Sequence, residues 1–436
     1  AGIAVTTGIQ NTLIGGLAGD ALTDSDKNVA VGYSALGTEV LGQFNVAIGR
    51  SALQAQSNGS AANVYNTAVG YNAGAAVTTG VQNTFIGGLA GDATDDGTNN
   101  VAVGFEALSA NCGSSNTSVG TRAGKATTAD NNTFVGNNAG TANTTASNNT
   151  AVGASALLAN TTGANNTALG IQALDGNTTG SENIGIGSNA LGSNTTANDN
   201  VAIGGGALAT NTTGADNVAI GRVALANSTT ASNNTAVGKS ALFANTTGTS
   251  NVALGALALD ANTTGNQNVG VGKNAIGTNT TGDANTAIGH GALAVATTAD
   301  NNTAVGFHSL VANTTGASNV VLGAYALDAN TTGATNTAVG ASALGNNTTA
   351  SNNTAVGYSA LYANTTGTEN VAVGSNALDA NTTANGNSAL GHGSLGANTT
   401  GAANVAIGTA SLQSNTTASN NTGVGYLALG ANTTGT

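Results

Sequence analysis

The sequence is poor in residues on which most protein classes depend. Its 436 residues include no proline, methionine or tryptophan, one cysteine, and only 3% aromatic and 6% charged residues. One cysteine cannot pair within the chain, which excludes a disulfide scaffold. The absence of proline and of a Gly-x-y period excludes collagen. The 40% apolar content argues against disorder, because disordered chains are typically charged and rich in proline.

The few charged residues also restrict the partners of the chain. Seven lysines and arginines stand against nineteen acidic residues, which gives a formal net charge of −12. Nucleic-acid binding depends on a basic surface, so we expect no nucleic-acid partner. No apolar run approaches the roughly 20 residues of a membrane span, so we expect no membrane insertion.

What the sequence does contain is one motif repeated along its whole length. Asn-(Thr/Val)-Ala-(Val/Ile)-Gly and close variants occur 25 times, first ending at Gly15 and last at Gly425. With that glycine as position 0, every step from Gly136 onward is 17 residues, which gives 18 uninterrupted copies. Earlier steps are 16, 17 or 21 residues. We therefore predict one continuous rod, with irregular coils over residues 1–135 and a regular repeat over 136–436.

The length of the repeat predicts strands and not helices. Seventeen residues are too few for a helical repeat, which needs roughly 30 or more. In the strand pattern, Thr354 and Val356 share one face while Ala355 points to the other. A second short strand is expected at Ala360–Ala363. The helix propensity of Ala and Leu competes with this pattern, but frequent glycine outweighs it. The predicted fold class is all-β, a parallel β-solenoid of about 25 coils with 17 residues each.

Position −4 is asparagine in all 25 copies. A solenoid places each residue beside its equivalent in the next coil, about 4.8 Å away. A buried asparagine column can pass amide hydrogen bonds from coil to coil. The alternative is that asparagine simply favours turns, but Asp, Gly or Ser would serve a turn equally well. The predicted structural ladder includes Asn353, Asn370, Asn387 and Asn404.

Positions +8 and +9 are threonine in all 18 regular copies, and position +7 is asparagine in 16 of them. Threonine columns stabilise neighbouring strands by methyl packing and hydroxyl hydrogen bonds. The predicted columns include Thr365, Thr366, Thr382 and Thr383. Asn-Thr-Thr is also an N-glycosylation acceptor pattern, although a threonine-ladder turn explains it without sugar. The candidate glycosylation sites are Asn364, Asn381 and Asn398.

Nothing in the sequence gathers catalytic or metal-binding groups. His290, His308 and His392 belong to separate coils, and the first and last lie six coils apart. Cys112 has no second thiol and no neighbouring histidine, so an inert buried cysteine is expected. The three aspartates within residues 92–96 are interpreted as a solvated loop in preference to a calcium site. We expect no catalytic residue, metal or cofactor, and no enzyme.

The apolar content of one coil is small. The side chains expected to be buried are Val, Ile or Leu at position −1 and Leu at +4. Two such side chains contribute about 3–6 kcal/mol, whereas ordering one repeat costs on the order of 25 kcal/mol. The face with Ala at −2 and Gly at 0 is small and flat. We therefore expect another copy of the chain to pack laterally against that face.

The repeat carries a family likeness. Asn-Thr-Ala-Val-Gly-x-x-Ala-Leu resembles the head repeats of trimeric autotransporter adhesins. With its Asn-Thr-Thr-Gly continuation it is also similar to repeats of phage tail-fibre-like and bacterial surface proteins. The resemblance covers essentially the whole chain. It implies a left-handed β-roll assembled as a homotrimer and exposed outside the cell or on a virion. The uniform 17-residue coil departs from adhesin heads, which leaves an anchored adhesin, a tail fibre and a free filament open.

Three functions follow from these observations. The leading hypothesis is an extracellular structural and adhesive fibre, because a regular rod offers length and contact area without a pocket. Its partners would be other copies of itself, joined laterally as a homotrimer or end to end as a filament, and surface glycans or a host receptor. The second hypothesis is the shaft or receptor-binding segment of a phage tail fibre. The third is an ice-binding solenoid with regular threonine arrays. This hypothesis is weakened because adjacent threonines in a strand point to opposite faces.

Overall fold

The computed structural model describes residues 1–435, which fall into two compact units, Ala1–Asn217 and Val218–Thr436. Every regular element among the described residues is a three-residue β-strand, and these residues contain no helix. One strand belongs to each repeat, with about 24 turns of roughly 17 residues. The predicted all-β parallel solenoid is confirmed.

The first unit contains twelve of the strands. They are β1 Thr12–Ile14, β2 Val29–Val31, β3 Val46–Ile48, β4 Thr67–Val69, β5 Thr84–Ile86, β6 Val101–Val103, β7 Thr117–Val119, β8 Thr133–Val135, β9 Thr150–Val152, β10 Thr167–Leu169, β11 Ile184–Ile186 and β12 Val201–Ile203.

The second unit contains the other thirteen. They are β13 Val218–Ile220, β14 Thr235–Val237, β15 Val252–Leu254, β16 Val269–Val271, β17 Thr286–Ile288, β18 Thr303–Val305, β19 Val320–Leu322, β20 Thr337–Val339, β21 Thr354–Val356, β22 Val371–Val373, β23 Ser388–Leu390, β24 Val405–Ile407 and β25 Thr422–Val424.

Within each unit every strand pairs in parallel with the next strand of the chain, and equivalent repeat positions lie opposite each other. Ala355 of β21 lies opposite Ala372 of β22, for example. The 21-residue step keeps this register, since Val46 of β3 lies opposite Thr67 of β4. The additional residues of that step are therefore accommodated between the strands and leave the ladder unchanged.

The prediction of a second strand at Ala360–Ala363 is wrong. These residues form turns, and Ser359 and Leu361 have left-handed backbone conformations with φ of 52° and 56°. The same conformation recurs near φ 60° at position −5, as in Asn352. Closing one turn in so few residues requires sharp bends, which a second extended segment would not supply. Leu361 is nevertheless fully buried, as the sequence predicted for position +4.

The expected orientation of the strand is also corrected. Ala355 at position −2 points into the core and is fully buried, while Thr354 and Val356 lie on the outside and are only partly covered. The interior is narrow beside the strand, because the leucine at +4 fills it from the other side. Position −2 is accordingly Ala or Gly in most repeats, although Val321 is also fully buried there. The bulky aliphatic residue at −1 is therefore a surface residue, and Ala at −2 belongs to no outward face.

Two phenylalanines in the core of the first unit fill the space that the leucine at +4 fills in other repeats. Phe85 and Phe134 occupy position −2 and are fully buried. The neighbouring +4 positions are glycines: a Cβ on Gly74 or Gly91 would lie 2.8 or 2.5 Å from the Phe85 ring. Gly124 and Gly140 stand in the same relation to Phe134. The core volume is thus kept by exchanging the Ala and Leu pair for Phe and Gly.

Candidate functional site

Within each unit, the asparagines at position −4 form a column of hydrogen bonds inside the solenoid. The amide Nδ2 of Asn370 donates to Ala384 O at 2.8 Å and to Asn353 Oδ1 at 3.3 Å, and its backbone N–H donates to Asn353 Oδ1 at 3.0 Å. Asn387 and Asn404 repeat the backbone contact to the preceding asparagine at 3.0 and 2.9 Å. These side chains are buried, so the column satisfies polar groups that water does not reach.

A second asparagine column, at position +7, was not identified from the sequence. Asn364 Nδ2 donates to Asn347 Oδ1 at 3.0 Å and to Gly367 O at 2.9 Å. Asn381 and Asn398 each donate to the preceding member of the column at 3.1 Å. The sequence signal was the near-invariance of Asn at +7, which was interpreted together with the threonines as a turn.

This second column places the three candidate glycosylation sites inside the protein. Asn364, Asn381 and Asn398 are fully buried, and each Nδ2 is engaged in the hydrogen bonds just described. N-glycosylation links sugar to that nitrogen. A glycan on any of them would require the amide to leave the core and break the column.

The two threonines of each repeat have different surroundings. Thr365 donates its hydroxyl to Thr382 O at 3.1 Å, and Thr382 donates to Thr399 O at 3.2 Å. Both side chains are half-buried, whereas Thr366 and Thr383 are exposed. Position +8 therefore stabilises the stacking of turns, and position +9 presents one row of threonines to solvent.

The outward side of the strands is an uncharged surface, which we call the strand face: the side chains at positions −3 and −1 of each repeat. Position −1 is Val, Ile or Leu in all 25 repeats, whereas position −3 is Thr or Ser in 14 of them. Leu390 is 51% exposed and Ile407 is 42% exposed, and these two residues lie opposite each other in neighbouring strands. No charged residue occurs in any strand of the described residues. Other members of the strand face with more than a third of their surface exposed are Ile14, Ile48, Ile86, Val119, Leu169, Ile184, Ile220, Leu254, Ile288, Val320, Leu322, Val371 and Val424.

Four aromatic rings stack on the surface of the second unit. His290 and His308 lie with ring centroids 5.5 Å apart and nearly parallel, and Phe307 lies 4.2 Å from His308. Tyr325 meets Phe307 edge to face at 5.3 Å. Stacking of successive coils thus brings together two histidines that the sequence assigned to separate coils. His392 lies apart from this cluster, in the cleft described next.

A shallow cleft of about 340 Å³ opens on the second unit. Its polar lining comes from three successive repeats: Asn376 and Asp379 from the first, His392 from the second and Gln413 from the third. Asp379 is half-buried, and this burial raises the pKa of its carboxyl, while backbone N–H groups partly offset the effect. The sequence analysis did not anticipate this cleft.

A buried carboxylate in the first unit was also missed. Glu39 is fully buried and accepts hydrogen bonds from the backbone N–H of Gly42 at 2.7 Å and from Gln56 Nε2 at 2.9 Å. It stands at position +7, where regular repeats have asparagine. The register could have identified Glu39 as an interior residue, because its partner Gln56 occupies the same position of the next repeat.

The remaining candidate groups of the first unit are Cys112 and the aspartates within residues 92–96. Cys112 is buried against the hydroxyl of Thr94, and burial raises the pKa of its thiol. Burial likewise raises the pKa of Asp92, and Asp95 accepts a hydrogen bond from Thr78. Among residues 1–435 there is no group of three or more side chains arranged to hold a metal ion.

The first unit also carries a surface ion-pair group. Glu106 accepts hydrogen bonds from Lys125 Nζ at 2.6 Å and from Arg122 Nε at 3.1 Å. These contacts, first that with Lys125, lower the pKa of the Glu106 carboxyl. Lysine and arginine here offset an acidic side chain and do not form a basic patch.

Comparison with known proteins gives no family for this chain. Neither a scan against protein-family models nor a search of curated proteins found a match. In the part of the chain that the structure describes, no helix has the length and apolar character to cross a membrane.

Proposed function

We propose that the chain is an extracellular structural and adhesive fibre protein, whose copies associate laterally through the strand face into a homotrimer of left-handed solenoids. The observation that carries the proposal is the exposed aliphatic column at position −1, which is flanked at −3 by Val or Ile in some repeats and by Thr or Ser in the others. Monomeric soluble proteins rarely expose contiguous apolar surface of this kind, and such surface usually marks an interaction site.

The occupant that fits this surface best is a second copy of the same surface. Both copies would present aliphatic side chains at the same strand spacing of about 4.8 Å, so they can interdigitate in register. The strands carry no charge, so a like-on-like contact has no electrostatic cost there. The net charge of −12 lies elsewhere in the repeat and keeps other surfaces of the chain apart.

The resemblance to adhesin head repeats supports the trimeric state, the left-handed turn and the location outside the cell. It also keeps the shaft of a tail fibre as the alternative setting for the same architecture. Electron microscopy of the native particle distinguishes the two, because a tail fibre belongs to a virion and an adhesin to a cell surface. Ice binding has less support, because the uninterrupted row of exposed threonines at +9 lies next to a row at +8 whose hydroxyls are used internally.

The association is tested with three lysines placed in alternate repeats of the strand face: Val339→Lys, Val373→Lys and Ile407→Lys. Alternate placement avoids like charges on neighbouring strands. The matched control has lysines at position +1 of the same repeats, where Lys239 and Lys273 occur naturally: Ala341→Lys, Ser375→Lys and Thr409→Lys.

Sedimentation velocity measures the outcome, with far-UV circular dichroism as the check on folding. We expect trimers of the 41.2 kDa chain for the unmodified protein and the control. The strand-face variant is expected to dissociate or to unfold. A stable folded monomer of the unmodified protein at nanomolar concentration would contradict the proposal, as would a strand-face variant that remains trimeric.

A further inference from the structure

The cleft of the second unit arises from an exception in the repeat. Its central repeat, starting at Gly391, has glycine at both +2 and +5, namely Gly393 and Gly396, a combination that no other of the 25 repeats has. A Cβ on Gly393 would meet no atom within 4 Å, and one on Gly396 would lie 3.3 Å from the backbone O of Gly393 and 3.4 Å from Asp379 Oδ1. The space is therefore produced by two missing side chains and not by a distortion of the solenoid.

The side chains around this space include both hydrogen-bond donors and hydrogen-bond acceptors. Asn376 and Gln413 are carboxamides with both functions, and the Asp379 carboxylate is an acceptor. His392 adds an exposed ring whose face can pack against C–H groups. The volume of about 340 Å³ is at the small end of ligand sites, which suits a single ring.

The same chemistry argues against other ligand classes. A divalent cation prefers several carboxylates, and the cleft has one. An anion would face Asp379 in a chain of net charge −12. A purely apolar ligand would leave the amides of Asn376 and Gln413 without partners. A neutral molecule with several hydroxyl groups satisfies all of these side chains.

We propose that this cleft binds one pyranose ring of a glycan, with Asp379 and the two carboxamides bonded to its hydroxyls and His392 against its C–H face. The proposal gives the adhesive function proposed above a ligand class and rests on it in that respect. Asp379 is the central group, because its half-buried carboxylate gains hydrogen-bond donors when a sugar enters.

The test uses the full chain and neutral methyl pyranosides of glucose, galactose, mannose and N-acetylglucosamine. Saturation-transfer NMR detects binding, and titration gives the affinity. A ligand of this size is expected to bind with a Kd on the order of 1 mM. Asp379→Asn should weaken binding by about tenfold or more, since it removes a charged acceptor. Gly396→Tyr should abolish binding by filling the space with the residue that stands at +5 in Tyr362.

Two controls make the result decisive. Asp260→Asn changes an aspartate at the same repeat position with similar burial but away from the cleft, and should leave binding unchanged. Sedimentation of each sample reports assembly separately, so failed sugar binding by an intact trimer refutes only the cleft, whereas a monomer refutes the fibre. The inference is overturned if none of the pyranosides binds at about ten times the expected Kd, or if Gly396→Tyr binds as well as the unmodified chain.

Discussion

The glycine at position 0 is fixed both by backbone conformation and by space. Gly187 has φ of +126°, and a Cβ there would lie 2.7 Å from the carbonyl carbon of Gly204 in the next repeat. Glycine alone adopts this conformation without strain, and only its lack of a side chain allows so close an approach of two backbones. The motif could be recognised from the sequence for this reason, since no substitution at position 0 keeps the stacking distance.

We predict that Gly187→Ala lowers the stability of the first unit by about 2–4 kcal/mol, from the sum of backbone strain and overpacking. Gly205→Ala is the matched control in the following repeat. A Cβ on Gly205 meets nothing within 4 Å, so the change should stay within about 0.5 kcal/mol. Thermal unfolding followed by circular dichroism compares the two variants, and equal unfolding midpoints would contradict the packing described.

The buried asparagines are expected to be as sensitive as the glycines. Asn370→Ala leaves the backbone N–H of Asn387 and the carbonyl of Ala384 without the partners that Asn370 provides. Ala384 O keeps the hydrogen bond from Asn381 Nδ2 at 3.2 Å, so the one unsatisfied buried group is the N–H of Asn387, and the cost should be about 1–3 kcal/mol. Asn346→Ala, an exposed position of a nearby repeat, should change stability by less than about 0.5 kcal/mol. Denaturant unfolding that fails to separate these variants would show that the column contributes little.

The half-buried aspartates at position +5 predict a pH dependence. Burial raises the pKa of Asp260 above the 3.8 of an unperturbed aspartate. A raised carboxyl pKa means that the folded state holds its proton more tightly than the unfolded state. Stability is therefore greatest below the unfolded pKa and is lost as pH rises through the folded pKa. Asp260→Asn should raise the unfolding midpoint at neutral pH, and the gain should disappear below about pH 3.8. A gain independent of pH would point to another cause.

At the scale of elements, the sequence located the strands but not their inner side. Alternation shows that Thr354 and Val356 share a face, yet it does not say which face is buried. Valine is more apolar than alanine, so hydrophobicity alone favours the wrong side. Volume decides instead, because the leucine at +4 of the preceding repeat leaves little room at −2: a Cβ on Gly185 would lie 3.2 Å from Leu174 Cγ. The turn after the strand was missed since leucine rarely adopts the left-handed conformation that Leu361 has.

The pairing of a large residue at −2 with glycine at +4 in the core can be tested by substitution. Phe85→Ala should cost about 3–5 kcal/mol, because it leaves a cavity beside Gly74 and Gly91. Adding Gly91→Leu to that variant should recover most of the loss. Leucine is accommodated at this position with φ of 48° in Leu53, close to the 58° of Gly91.

Gly91→Leu alone supplies the control for this pair of changes. With Phe85 still present, the new side chain overlaps its ring and should destabilise the protein by about 1–3 kcal/mol. The signature is a double variant more stable than either single variant in thermal unfolding. Additive effects of the two substitutions would show that the positions do not share one space.

At the scale of the whole chain, function could be predicted only as far as the regular positions allow. The strand face follows from a pattern present in every repeat, once its inner side is known. The cleft arises because Gly393 and Gly396 have no side chains. The sequence shows these two glycines, but only the structure shows which side chains surround the space that they leave. The ring stack depends on a contact between His290 at +1 and His308 at +2 of the next repeat. Stacking of equivalent positions does not predict this contact, because the two residues occupy different positions of the repeat.

The central claim is that each repeat makes one turn and that equivalent positions of successive repeats lie in contact. It is tested most directly by replacing exposed threonines at +9 with cysteines and measuring disulfide formation. In Thr366→Cys with Thr383→Cys, the two Cα atoms should lie about 4.8 Å apart, within disulfide range. In Thr366→Cys with Thr400→Cys, they should be about 9.6 Å apart, two strand spacings, which is too far. We expect rapid intramolecular oxidation of the first pair alone, measured by intact mass and thiol titration at high dilution. Equal oxidation of both pairs, or of neither, would contradict the 17-residue turn.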